Sequence, residues 1–152
     1  MKVTFLGTGT STGIPFIGSE HPVCLSKDSK DIRLRSSIKI DIYNNTFIID
    51  CGPDFRQQML NSNCKKIDAI LFTHEHADHT AGLDDIRPYC FRTVNLPIYS
   101  PQSVLKNLST RFSYIFNEVD TYPWAHSVTL HPVTHNYTYI STNIIFHPVT
   151  VH

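Results

Sequence analysis

A nearly unbroken apolar run, Ile67 to Phe72, gives way to the segment Thr73-His74-Glu75-His76-Ala77-Asp78-His79. The run fits a strand buried on both faces, with a polar loop opening at its C-terminal end. If that loop begins extended, His74 and His76 point the same way by the two-residue period. A turn into a helix near Thr80 then sends Asp78 and His79 to an adjacent point. Side chains that can donate to a metal are thus packed into one short stretch. Imidazole nitrogen and carboxylate oxygen suit zinc, and iron or manganese as well, because these ions accept mixed N and O ligands. One such loop can serve two ions. The same residues also read as a solvated polar loop in which Asp78 caps the next helix.

The remainder of the chain reads as strands with interspersed helices, a mixed α/β class. Val3 to Leu6 is a short buried strand, followed by a loop containing Gly7, Gly9 and Gly13. Ser37 to Tyr43 and Thr46 to Asp50 form a hairpin about Asn44-Asn45, a pair that tolerates positive φ. Pro53 to Ser62 reads as a helix with proline in its first turn. Ser100-Pro101 looks like a cap and first helical position for a helix reaching about Leu108. Ser127 to Val133 and Asn143 to Val151 are further strand candidates.

At 152 residues the chain suits one domain, 1–152, and its 41% hydrophobic content can sustain a core. Thirteen basic and 13 acidic residues cancel, so composition offers no footprint for bulk binding of nucleic acid or anionic membrane. Apolar stretches such as Ala69 to Phe72 fall far short of the ~20 residues a spanning helix needs. Thr4, Gly7 and Thr8 interrupt the N-terminus before a signal-peptide core can form, so a cytoplasmic protein is expected. Cys24, Cys51, Cys64 and Cys90 include no C-x-x-C pair, and reduced thiols are expected. Isolated histidines such as His126 and His131 read as structural or exposed.

The H-x-H-x-D-H pattern after a buried strand resembles the signature of the metallo-β-lactamase superfamily. The likeness extends to Val3–Ser11, Arg33–Ser37, Ile49–Arg56 and Ala77–Pro88, which resemble the branch containing the phosphoribosyl 1,2-cyclic phosphate phosphodiesterase. The resemblance implies a metallo-β-lactamase-like αββα sandwich. It also implies His74 and His76 on a first metal ion and Asp78 and His79 on a second. A third histidine for the first ion comes from a later strand end, and His152 is the choice, with His135 and His147 as alternatives. Asp50 corresponds to the family aspartate that supports the metal loop, against a plain turn-forming role. Relatives often carry a structural zinc knot near Ser19 and His21. Here only His21 and Cys24 remain as ligands, where a closed site needs four. The glycine-rich loop could approach a phosphate through its amides or simply make a tight strand exit. Arg33, Arg35 and Arg87 could contact phosphate or serve as surface and ion-pair residues.

The activity implied is hydrolysis of a small cyclic phosphodiester by water activated between two divalent cations, zinc first, with manganese or iron as alternatives. Asp78 both ligates metal and helps position the hydroxide. Rivals are an RNA-processing phosphodiesterase of the transfer-RNA maturation type, a thioester or lactam hydrolase, and a non-catalytic metal-binding domain. The family's second half supplies further ligands, a proton donor and part of the inner apolar face. The expectation is therefore an N-terminal portion with an open second metal position. Its exposed sheet face would drive association with a second copy, as a homodimer, or with the missing segment.

Overall fold

Alternation along the N-terminal strands sets the architecture. In the computed structural model, which describes residues 1–93, 95–116, 127–133, 138–141, 144–147 and 149, β1 (Lys2–Gly7) pairs antiparallel with β2 (Ser37–Ile42). β2 then pairs antiparallel with β3 (Asn45–Ile49). From β3 onward the sheet is parallel, running through β4 (Ala69–Leu71), β5 (Leu96–Ser100) and β6 (Val128–Pro132). The spatial order of the six strands follows the sequence. A separate antiparallel pair, β7 (Thr138–Ser141) and β8 (Ile144–Phe146), makes a second small sheet.

Successive residues of each strand face opposite sides. Ile48, Ile70 and Ile98 therefore share one face, where they pack with helical residues such as Phe55, Leu83, Ile86, Val104 and Leu108 in the larger core cluster. The helices concerned are α2 (Phe55–Asn61), α4 (Arg87–Cys90), α5 (Gln102–Arg111) and α6 (Ser113–Phe116), with a 3-10 turn at Leu83–Ile86. Two further helices, α1 (Pro22–Leu25) and α3 (Ala77–Thr80), lie in the loops before β2 and after β4. Phe47, Ala69 and Tyr99 point to the other side, where Ile144 and Phe146 of β8 meet them. The Phe47 and Phe146 rings meet edge-on at 5.2 Å.

The register moves several expected boundaries. Ile42 pairs with Asn45, so the hairpin tip is Tyr43-Asn44 and the positive φ of 52° falls on Tyr43. In this register Ile40 stands opposite Phe47 and Ile38 opposite Ile49. Ser100 ends β5 and gives its hydroxyl to the Phe72 carbonyl at 2.9 Å, so it is no helix cap; Pro101 takes that position. Strand β5 carries no clear strand signal in sequence, because Pro97 lies inside it. Proline 53 precedes α2, whose first residue is Phe55. Of Asn143 to Val151, only Ile144–Phe146 is strand among the described residues.

Candidate metal centre

Parallel strands β3 and β4 end side by side, and loops at the carboxyl ends of such strands commonly form sites. Asp50 leaves β3 with its N–H on the Leu71 carbonyl at 2.9 Å, and the histidine-rich segment begins two residues after β4. Asp50 adopts φ +63°, a left-handed conformation that aspartate tolerates better than most side chains. The Ser37 hydroxyl donates to its carbonyl at 2.8 Å and helps hold that turn.

The turn aims a carboxylate, only 5% exposed, at the loop after β4. Asp50 Oδ1 accepts the Thr73 N–H at 2.8 Å, and the Thr73 hydroxyl lies 3.0 and 2.8 Å from Oδ1 and Oδ2. Oδ2 also meets His79 Nδ1 at 2.7 Å. Because an ionised carboxylate only accepts, that contact, shorter than the 3.2 Å between Nε2 and Asp78 Oδ2, places the proton of a neutral His79 on Nδ1. Asp50 thus orients a histidine of the loop and pins the loop's first residue.

His74, His76 and His79 come together at this edge. The His74 ring centroid lies 4.7 Å from that of His76 and 4.1 Å from that of His79. Asp78 Oδ2 stands 3.2 Å from His79 Nε2. Asp78 sits inside α3 rather than before it: His76 holds the N-cap position, and no side chain caps the helix. The capping alternative for Asp78 is therefore set aside. Three imidazoles and a carboxylate packed together form a donor set chemically suited to a divalent ion. In these rotamers, however, no three His, Cys, Asp or Glu side chains among the described residues converge to hold one ion.

Backbone contacts press this loop against the strand exit. The Cys51 N–H donates to the His79 carbonyl at 2.7 Å, and the Gly82 N–H to the Cys51 carbonyl at 2.9 Å. A Cβ on Gly52 would stand 2.0 Å from the Asp78 carbonyl oxygen, and one on Gly82 would stand 2.1 Å from that of Gly52. Both positions therefore require glycine. Full burial, followed by the Asp85 and Asp50 charges, pushes the Cys51 thiol well above its ordinary range, so it stays a neutral packing group beneath the loop. Thr80 gives its hydroxyl to the His76 carbonyl at 2.9 Å, and Arg111 from α5 donates to the Glu75 carbonyl at 2.6 Å.

The other sequence candidates fall elsewhere. Gly9 and Ile14 donate their N–H groups to the Leu34 and Arg33 carbonyls, and Gly13 donates to Thr10, so these amides are taken up by the chain itself. Arg35 pairs with Asp54 at 2.9 Å and Arg33 reaches the Thr8 hydroxyl at 3.0 Å. Arg87 opens α4. His21 caps α1, its Nδ1 accepting the Val23 N–H at 3.3 Å, and Cys24 lies within that helix. His131 stacks on Tyr99 at 4.9 Å, and His147 is exposed after β8. His126, His135 and His152 lie outside the described residues. All four cysteines are unpaired, and no described helix is long and apolar enough to cross a membrane. A cleft of about 300 Å³ lined by Phe55, Met59, Cys64 and Tyr89 includes none of the motif residues.

Thr73 and Arg111 were not singled out as functional residues from the sequence. For Thr73 the signal was its place just before the motif. Arg111 left none, because its contact with Glu75 joins residues 36 positions apart.

Residues 45–151 match the beta-lactamase superfamily domain. The chain belongs to that superfamily. Its members are metal-dependent hydrolases that use divalent ions such as zinc. A solved diphosphatase of the PhnP family is 40% identical, superimposes with a TM-score of 0.86, and is matched over 97% of this chain and 55% of its own. An octanoyltransferase of Porphyromonas gingivalis is 44% identical over 124 residues, which is 81% of this chain but 25% of that protein. A ribonuclease Z of an Exiguobacterium species is 35% identical over 111 residues, 70% of this chain and 32% of the relative. The superfamily member described here thus spans a quarter to a third of these two curated relatives. Three-quarters of the octanoyltransferase lies outside the match.

Proposed function

We propose that this chain carries the metal-binding part of a phosphodiester hydrolase acting on a small cyclic phosphodiester. The observation that carries the reading is the histidine cluster built on Asp50 at the carboxyl edge of two parallel strands. Similarity to a PhnP-family diphosphatase and to ribonuclease Z supports phosphodiester chemistry over thioester or lactam hydrolysis. His74 and His76, with His152 as third ligand, would hold one divalent ion, and Asp78 and His79 a second, zinc before manganese or iron. When bound, divalent ions at these residues would supply an activated water and charge stabilisation for the reacting diester.

The chain's own groups supply orientation. Asp50 holds the His79 ring through Nδ1, and Asp78, 3.2 Å from His79 Nε2, would help position the attacking water. Thr80 and Arg111 fasten the carbonyls between the ligands, limiting drift of a loop that must keep its geometry within a fraction of an ångström.

The ribonuclease Z likeness favours a second reading, cleavage of precursor transfer RNA. Equal basic and acidic counts, 13 each, weigh toward the small substrate, since polyanion affinity rests on cationic contacts. The decisive experiment assays the protein with a chromogenic phosphodiester, a ribose cyclic phosphodiester and precursor transfer RNA, each with and without zinc or manganese. Metal-dependent turnover of the small diesters is expected, with both metal content and turnover lost in His74→Ala and His76→Ala. Unchanged metal content and activity in both variants would sink the assignment. Tight, steeply salt-dependent RNA binding would reverse the substrate ranking.

A further inference from the structure

We infer that Thr73 is a positioning residue that couples Asp50 to His74, so that one buried carboxylate sets the proton placement of two histidines. The inference rests on the metal-centre reading above for its purpose, and on hydrogen-bond bookkeeping for its content. The Thr73 hydroxyl has one proton and two lone pairs. Its oxygen lies 2.8 and 3.0 Å from the two oxygens of Asp50, and 2.9 Å from His74 Nδ1.

Only one assignment satisfies all three atoms. An ionised Asp50 offers no proton, so the hydroxyl proton must go to the carboxylate; turning it to His74 would set oxygen lone pairs against the carboxylate at hydrogen-bond distance. With its proton committed, the Thr73 oxygen can only accept from His74. His74 therefore carries its proton on Nδ1 and presents the Nε2 lone pair. A neutral His79 reaches the same state by direct contact with Asp50 Oδ2 at 2.7 Å, closer than the 3.2 Å between its Nε2 and Asp78 Oδ2. The Thr73 N–H on Oδ1 at 2.8 Å keeps the hydroxyl from swinging away. Both rings, 4.1 Å apart between centroids, then offer the same nitrogen to their surroundings. An imidazole that must first move its proton to bind a cation binds it less tightly, and partners of this kind are worth about 10–100-fold in metal affinity.

The test compares the wild type with Thr73→Val, which keeps the shape and deletes the hydroxyl, and Thr73→Ser, which restores it. Nitrogen-proton correlation spectra of the metal-free protein, with the imidazoles neutral, report the tautomer of each histidine. The expected result is the Nδ1–H form at both His74 and His79 in the wild type and in Thr73→Ser. In Thr73→Val, His74 alone is expected to lose that form. Zinc competition against a chelator should show affinity about tenfold weaker in Thr73→Val and recovered in Thr73→Ser. An unchanged His74 tautomer in Thr73→Val, or failure of Thr73→Ser to restore it, overturns the inference. If the wild type competes for no zinc while the tautomers behave as stated, the metal reading falls and the Thr73 coupling stands.

Discussion

Asp50 carries more structural consequence than any other single residue near the loop. It sits in a left-handed backbone conformation, is 5% exposed, and accepts from a backbone N–H, a hydroxyl and an imidazole. Replacing it with alanine removes acceptors from buried donors, at about 1–3 kcal/mol for a group left unsatisfied. It also places a Cβ-bearing residue without a local polar partner at positive φ, which adds about 1 kcal/mol. Asp50→Ala is therefore expected to lower stability by about 3 kcal/mol in urea denaturation. Asp50→Asn should lose distinctly less, because asparagine tolerates the same φ and keeps one acceptor oxygen. Equal losses would mean that the backbone conformation and the carboxylate contribute nothing separable.

At the scale of elements, the site depends on how closely α3 approaches the turn after β3. The two meet backbone to backbone through Cys51, Gly52, Asp78, His79 and Gly82. A methyl group on Gly52 cannot be absorbed by rotating a side chain, since the atom it strikes is the Asp78 carbonyl oxygen. Gly52→Ala should destabilise the fold by about 1–3 kcal/mol, as overpacking generally does, and should pull α3 with Asp78 and His79 away from Asp50. A thermal melt paired with zinc analysis checks this, with the melt lowered and zinc retention reduced together. A melt unchanged from wild type would show that the close approach is not present in solution.

The whole molecule is a sheet with unequal faces. Helices cover the side bearing Ile48, Ile70 and Ile98, whereas β8 covers part of the side bearing Phe47, Ala69 and Tyr99. Val3 pairs with Ile40 and Phe5 with Ile38 on that second side, and they remain 45% and 69% exposed. Contiguous apolar surface of this kind binds apolar partners and dyes. The protein is expected to bind a hydrophobic dye and to self-associate in sedimentation velocity. Both should weaken in a Val3→Thr, Phe5→Thr double variant, in which β-branched threonine preserves the strand. Dye binding indifferent to the double variant would place the exposed apolar surface elsewhere.

Local chemistry made much of this protein legible before its fold was known. The apolar run before Thr73 specified a buried strand, Ser37 to Tyr43 and Thr46 to Asp50 about Asn44-Asn45 marked a hairpin whose turn lies one residue earlier, and the spacing of His74, His76, Asp78 and His79 marked the loop as the centre of interest. Each is a short-range pattern that the chain carries whatever it packs against. Only the tertiary structure decided that Asp50 meets Thr73 and His79, that Arg111 reaches Glu75, that Gly52 and Gly82 must lack side chains, and that a strand containing Pro97 completes the parallel run. Those are contacts between residues 23 to 36 positions apart, or close approaches between separate elements. Propensity and period describe a residue with its neighbours in sequence. Hydrogen-bond partners across that distance are set by strand register and helix packing, which depend on the whole chain at once.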